Sequence, residues 1–359
     1  MSGFRKFTVV EKVRESAVIT SFLLEPSKEG DWLPFKAGQF LTVNIPVPMG
    51  EAGRTLRRTY TVSSPPSLQG RYRITVKRES APGTEHASAL LHDTVNPGDV
   101  LEIAGPSGDF TLDACSTRAV LLLSGGVGLT PMISMLHELA HQSDRPVYFL
   151  HACENGEVQA LGDEVRALQA VRPGIHSHIC YRTPTDEDHA AVRFQTAGTI
   201  TREVLQGFLP LDDYDVYMCG PEPFMQAMFG LLTGLGVREE RIAYEFFTNG
   251  KKLGAQTAAP VRKVEAPVPS ADVSSGLAIR LSKSEKDLIW DPSASSLLSF
   301  LEDQGLSPEF SCRAGICGSC KCRVTEGKVE YFEEPLDELD ENDVLLCCSR
   351  PLQPMVLDL

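Results

Sequence analysis

Four cysteines, Cys312, Cys317, Cys320 and Cys322, crowd into eleven residues of the stretch FSCRAGICGSCKCRV, and Cys347 and Cys348 stand side by side near the C-terminus. Six thiols are more than one metal centre needs. The spacing C-x4-C-x2-C of Cys312, Cys317 and Cys320 suits three ligands of a [2Fe-2S] cluster, whose fourth cysteine comes from far along the chain. Cys347 or Cys348 must supply it. Between the cysteines lie Ala314, Gly315, Gly318 and Ser319. Such small residues let backbone N–H groups reach the sulfurs and stabilise a negatively charged cluster. A zinc site would prefer paired C-x2-C units; Cys317 and Cys320 make one pair, but the adjacent Cys347 and Cys348 cannot make the second.

A [2Fe-2S] centre takes one electron at a time, so something must feed it. Residues 124–131, SGGVGLTP, follow an apolar run and open a helical pattern. Gly125, Gly126 and Gly128 would let backbone approach a phosphate at the positive end of a helix. The expectation is that Thr130 caps that helix and Pro131 occupies its first position. The dinucleotide fingerprint G-x-G-x-x-G fails, because Pro131 stands where the third glycine belongs. Residues 217–225, YMCGPEPFM, repeat the design with Cys219, Gly220 and Pro221. Either loop alone could be a structural turn, but two of them at strand ends would place a ligand across a sheet edge. In RTYT, residues 58–61, Arg58 could pair with a pyrophosphate, Tyr60 could lie against a flat heterocycle and the Thr61 hydroxyl could reach a ring nitrogen.

The elements that must position these groups fall into different styles. Residues 7–110 read as six short strands (FTVVEKV, VITSFLLEP, QFLTVNIP, RTYTVSS, YRITVKRE, VLEIAGPSG), the pattern of a small antiparallel barrel. From about 118 the rhythm becomes strand then helix, which implies a parallel sheet wrapped by helices. Residues 255–276 are rich in Ala, Pro, Ser and Val without apolar period and read as a linker. Beyond them a module of about eighty residues mixes strands with one helix. The expected domains are therefore 1–113, 114–254 and 277–359, with 255–276 joining the last: a multidomain protein with an antiparallel β-barrel, an α/β parallel-sheet nucleotide domain and a small [2Fe-2S] module.

The chain of 359 residues carries a net charge of −14 and is 42% hydrophobic. That charge argues against nucleic acid or anionic lipid as a partner. Residues 119–136 carry no charge, but their glycines, serines and Thr-Pro speak for a buried strand, turn and helix rather than a membrane span. The first residues interrupt every apolar run with charge, so no secretory signal is expected and the reading is cytoplasmic, where clustered thiols bind metal more often than they form disulfides.

Over 277–359 the chain resembles plant-type ferredoxins, which implies a β-grasp [2Fe-2S] domain. In the segment VLLCCSRP the resemblance puts Cys347 four positions before Pro351, as the fourth ligand after Cys312, Cys317 and Cys320. Cys322 and Cys348 are then surplus. The order R-x-Y-T, G-G-x-G-x-T-P, C-G-P over residues 5–250 resembles the ferredoxin-NADP reductase superfamily, and GQFLTVNIP, RRTYTVSSPP, GPSGDF, HACENGEVQAL and YEFF are similar to the reductase half of flavohaemoglobins. No globin precedes them, so haem chemistry is not carried over. The resemblance implies that the barrel is a flavin domain, in which Arg58 contacts flavin phosphate, Tyr60 packs on the isoalloxazine, Thr61 approaches its N5 and Ser88 binds the phosphate or adenylate portion, with Lys77 of ITVKRE a further cofactor-binding residue. It implies that Gly125, Gly126, Gly128, Thr130, Pro131, Gly220 and Pro221 hold the nucleotide, and that Thr61, Cys219, Glu245 and Phe247 line the reaction site. Read more plainly, Phe247 is core and Cys219 a buried filler.

FMN-dependent relatives with a C-terminal ferredoxin carry G-G-S at the phosphate turn, and HAS at 86–88 lacks it; FAD is expected rather than FMN. HACENG at 151–156 has no arginine for a 2'-phosphate and its Glu154 would repel one, so NADH is expected, with Arg182 as the residue that could change this. Flavin converts pairs of electrons to single ones. The reading is an NADH-dependent reductase passing electrons through FAD and a [2Fe-2S] cluster to an acceptor. Chains of this domain order resemble the reductase components of Rieske-type oxygenases; a hybrid-cluster protein as acceptor, or a redox-sensing role, are the rivals. Residues 277–359 hold 8 basic and 16 acidic side chains, a net of −8, densest at 333–343. The face is either simply solvated or steers a basic acceptor surface.

Overall fold

The structure, a computed structural model, describes residues 3–47, 55–79, 87–247, 253, 277–284, 286–306, 308–310, 315, 318–336 and 339–359. The linker at 255–276 therefore lies outside the described residues, as do Cys312 and Cys317. The chain divides into two compact units, Met1–Phe247 and Thr248–Leu359.

The first unit opens with β1 (Arg5–Arg14), β2 (Ile19–Pro26), β3 (Phe40–Pro46), β4 (Thr55–Thr61), β5 (Tyr72–Lys77), the helix α1 (Ala87–Thr94) and β6 (Val100–Ser107). The six strands form one antiparallel sheet in the order β4-β3-β6-β1-β2-β5, and a bridge between Val62 and Ile74 links its two edges. Alternation along these strands drives the closure: Phe7, Phe22, Leu41, Ile45, Tyr72 and Ile74 turn inward and are fully buried, with Leu91 of α1 packed on them.

Next come β7 (Ala119–Gly125), α2 (Leu129–Gln142), β8 (Val147–Cys153), α3 (Gly162–Gln169), β9 (Ile175–Tyr181), α4 (Asp186–Ala191), β10 (Thr196–Ala197), α5 (Arg202–Phe208), β11 (Tyr214–Cys219), α6 (Glu222–Gly234) and β12 (Ile242–Glu245). The six strands are parallel, in the order β10-β9-β8-β7-β11-β12. Every residue of β7 is buried, as the central strand of a sheet covered on both faces demands. Ile19, Ala37 and Phe110 of the barrel share one apolar core with Met132, Ile133, Met135 and Leu136 of α2, so barrel and sheet pack as one unit. No helix among the described residues is long and apolar enough to cross a membrane.

The second unit contains β13 (Ala278–Leu281), β14 (Lys286–Ile289), α7 (Leu297–Asp303), β15 (Lys321–Glu326), β16 (Val329–Tyr331), β17 (Asp343–Leu345), β18 (Ser349–Pro351) and β19 (Met355–Leu357). Five strands pair as β14-β13-β19-β15-β17, and β16 pairs with β18 apart from them. Ser296 caps α7 by accepting from the Ser299 N–H, and Leu297, Leu298, Phe300 and Leu301 press the helix into the core. Cys322 lies on β15 opposite Val344 and is buried in that core, where a thiol behaves as a small apolar side chain.

Candidate functional site

Two glycine turns, at the carboxyl ends of β7 and β11, carry much of the first unit's chemistry. Gly125 ends β7, and Gly126–Gly128 form a single 3-10 turn that runs straight into α2. The helix thus begins earlier than its sequence suggests: Gly128 is the N-cap, Thr130 and Pro131 sit at the second and third helical positions, and the Thr130 hydroxyl donates to the Val127 carbonyl (3.2 Å). Pro131 is accepted there because the first turn's N–H groups lack helical partners anyway. Gly126 adopts φ +54° with open space where a side chain would stand. A Cβ on Gly128 would run into the Cys219 carbonyl and come within 2.7 Å of the Gly220 nitrogen. One on Gly220 would meet Gly125 backbone at 3.1 Å and the Phe224 ring at 2.7 Å. The two glycine turns are therefore packed backbone to backbone, and Pro221 leads from the second into α6 as its N-cap.

Along the carboxyl edge of the sheet, register puts Glu245, Cys219, Ser124 and His151 in one row on neighbouring strands. Residues in register share a face. Glu245 is partly exposed as a residue, but its Oε2 is buried with no hydrogen-bond partner, and that burial pushes its carboxyl up to about 8. Burial, and then the neighbouring Glu245, push the Cys219 thiol well above its ordinary range. Ser124 Oγ lies 2.8 Å from His151 Nδ1, and burial lowers that imidazole to about 4, so the ring is neutral. The row is polar but uncharged at neutral pH. Phe247, two residues past β12, is 42% exposed rather than core.

On β4, Arg58 and Tyr60 share one face and Thr61 the other, where it is buried against β3. Arg58 donates to the Arg57 carbonyl at 2.7 Å. The Tyr60 phenol is raised by burial, opposed by Arg58 and reinforced by Glu79. The Glu79 N–H in turn donates to Ser88 Oγ at 3.1 Å, at the start of α1. Arg58, Tyr60 and Ser88 thus border one region; Lys77 is exposed at the end of β5. Residues 80–86, which include most of the phosphate turn, lie outside the described residues.

Beyond β8, Glu154 accepts from the Thr183 hydroxyl, and Arg182 Nη1 stands 4.0 Å from Glu154 Oε2. In the second unit, Cys320, Cys347 and Cys348 are buried. The Gly315 N–H donates to Cys347 Sγ (3.3 Å), whereas Cys348 Sγ donates to the Leu345 carbonyl (3.7 Å). Gly315 has φ +66°, and a Cβ there would lie 3.0 Å from Cys348 Sγ.

Sequence reasoning passed over the buried Ser124–His151 pair and a partly buried ion pair between Arg73 and Glu164. On β9, His176 stacks on Tyr148, and His178 Nε2 lies 2.8 Å from Thr196 Oγ1. Only register, not spacing, could have set Ser124 beside His151.

A glycine-lined sheet edge facing a barrel strand, with a separate cysteine-bearing unit, defines a nucleotide- and flavin-dependent oxidoreductase with an iron-sulfur domain. Family comparisons agree: residues 6–112 match the oxidoreductase FAD-binding domain, 122–229 the oxidoreductase NAD-binding domain and 280–352 the 2Fe-2S iron-sulfur cluster binding domain. The flavohemoprotein of Bordetella pertussis is 42% identical over 250 residues, 69% of this chain and 62% of that protein, so the chain spans less than two thirds of such relatives. The flavohem-like FAD/NAD-binding domain of nitric oxide dioxygenase from Vibrio cholerae is 34% identical with a TM-score of 0.61, covering 68% of this chain and 99% of that one. Phthalate dioxygenase reductase, described as a modular structure for electron transfer from pyridine nucleotides to [2Fe-2S], is 26% identical with a TM-score of 0.58 over 99% of this chain and 98% of its own. The chain belongs to the ferredoxin-NADP reductase superfamily, as a flavohaemoglobin-like reductase module followed by a plant-type [2Fe-2S] domain.

Proposed function

We propose that this oxidoreductase takes electrons from NADH and delivers them singly, through FAD and a [2Fe-2S] cluster, to the terminal oxygenase of a Rieske-type system. The observation that carries the reading is the match in domain order along nearly the whole length of phthalate dioxygenase reductase. Bound FAD supplies the exchange between a two-electron donor and a one-electron acceptor.

The chain's own residues supply position and polarity. Arg58 binds flavin phosphate, Tyr60 offers its ring to the isoalloxazine and Thr61 its hydroxyl. Lys77 and Ser88 serve the phosphate or adenylate end. Gly125, Gly126 and Gly128, with Gly220 and Pro221, let the pyrophosphate reach free N–H groups at the start of α2; Thr130 and Pro131 shape that first turn. Cys219, Glu245 and Phe247 bound the nicotinamide end. Because Glu245 is protonated below about pH 8 and Cys219 remains a thiol, this end carries no fixed negative charge at neutral pH. Glu154 disfavours a 2'-phosphate and already engages Arg182, which supports NADH over NADPH.

Cys312, Cys317, Cys320 and Cys347 hold the cluster. Acceptance of an N–H by Cys347 suits a thiolate ligand, while donation by Cys348 suits a thiol. The exposed Glu333, Glu334, Asp340 and Glu341 face a basic patch on the acceptor. The test is anaerobic turnover with a purified Rieske oxygenase component and its aromatic substrate: product formed with NADH and not with NADPH supports the reading, and rapid ferricyanide reduction without oxygenase turnover rejects that partner.

A further inference from the structure

The barrel strand that carries Arg58, Tyr60 and Thr61 and the helix that springs from the glycine turn must be held at a fixed separation if a nicotinamide is to meet a flavin. One partly buried polar cluster ties them. Arg73, on β5, grips Glu164 of α3 with both terminal nitrogens, Nη1 to Oε2 and Nη2 to Oε1, each at 2.8 Å. The same guanidinium donates from Nη2 to the Ser63 carbonyl (2.6 Å) and from Nε to Ser63 Oγ (3.2 Å). Ser63 is two residues past Thr61. Glu164 Oε1 also meets His137 Nε2 of α2 at 2.5 Å, and one turn earlier on α2 the Ser134 hydroxyl donates to the Ser64 carbonyl at 2.9 Å.

The segment leaving β4 is thus stitched to α2 twice, once directly and once through Arg73, Glu164 and His137. Glu164 keeps its charge: burial opposes this, but the hydrogen bonds from His137 and Arg73 hold its carboxyl at about 2. The residue that delivers α3 is also strained. Leu161, the N-cap, has φ +55° although it is not glycine, a conformation tolerated where surrounding structure imposes it.

We infer that Arg73 and Glu164, oriented by His137, are positioning residues that set the approach of the nucleotide turn to the flavin strand. This rests on the reductase reading above. It differs from a merely stabilising ion pair in what it predicts for the hydride step.

The test compares wild type with Glu164→Gln, Arg73→Lys and, as a control, Arg71→Ala, which removes only the exposed surface pair with Glu25. Anaerobic stopped-flow mixing with NADH gives the rate of flavin bleaching and the dissociation constant; hydrogen exchange of residues 62–65 and 134–138 reports the joint itself. Glu164→Gln is expected to keep its FAD, speed exchange in both segments and slow bleaching about 10- to 100-fold, with the dissociation constant moving far less, as a misplacement near 1 Å would do. Arg73→Lys, which retains charge but not the fork, falls between. Arg71→Ala matches wild type. Faster exchange with unchanged bleaching would overturn the inference, as would a loss confined to NADH affinity. Wild type that NADH fails to bleach would instead remove the reductase reading.

Discussion

Glutamate 245 offers a pH experiment with a definite sign. Its Oε2 is buried without a hydrogen-bond partner, and burial pushes the carboxyl up from its ordinary value of 4.5 to about 8 in the folded chain. Below pH 4.5 it is neutral whether the chain is folded or not and imposes no pH dependence. Between 4.5 and 8 the folded form holds a proton that the unfolded form has released, so stability falls as pH rises, at up to about 1.4 kcal/mol per pH unit. The loss amounts to roughly 3 kcal/mol at pH 7 and roughly 5 kcal/mol above pH 8, order-of-magnitude figures on the same scale. Glu245→Gln keeps the shape and neutrality of the protonated acid and cannot ionise. Its Tm should match wild type near pH 5 and exceed it increasingly up to pH 9, by about 5–10 °C or more for a unit of this size. Differential scanning calorimetry across pH 5–9 in one buffer ionic strength measures the gap. A gap that stays constant with pH would refute the assignment of a buried, uncompensated carboxyl.

Three further outcomes follow from the geometry. Gly128→Ala forces a methyl against the Cys219 carbonyl, so it should cost about 1–3 kcal/mol in stability and weaken NADH binding measured by titration, whereas Gly126→Ala, with open space, meets only the left-handed backbone penalty of about 1–2 kcal/mol. Cys347→Ser should abolish the visible absorption and EPR signal of the cluster while Cys348→Ser keeps both; the reverse result would exchange their roles. Reversing Glu333, Glu334, Asp340 and Glu341 to lysine should slow reduction of the basic protein cytochrome c by about 10-fold or more at low salt, with NADH-ferricyanide activity unchanged; equal loss in both assays would show damage rather than lost steering.

Much of this molecule could be read from periodicity. The barrel strands are short and bounded by turn residues, and β7 is an unbroken apolar run buried on both faces, so their types follow from length and from which faces water touches. Short elements on the sheet's far edge, α4, β10 and α5, were not visible, because each is too brief to show a period and is fixed by tertiary contacts. The start of α2 was misplaced by two residues since the glycine turn continues as helix rather than ending before Thr130. The plainer alternative for Phe247, a core aromatic, does not hold, since it lies past the last strand of the sheet and is 42% exposed. The glycine and cysteine signatures were legible because backbone approach and soft ligation each demand particular residue types. The Arg73–Glu164–His137 cluster was not, since its members lie on three elements 91 and 27 residues apart.

Rapid-freeze EPR after anaerobic mixing with one equivalent of NADH tests the central claim most directly. The account predicts that the flavin absorbance falls first and that the signal of a reduced [2Fe-2S] cluster appears within the turnover time. Flavin bleaching with a cluster that stays oxidised for minutes would contradict it.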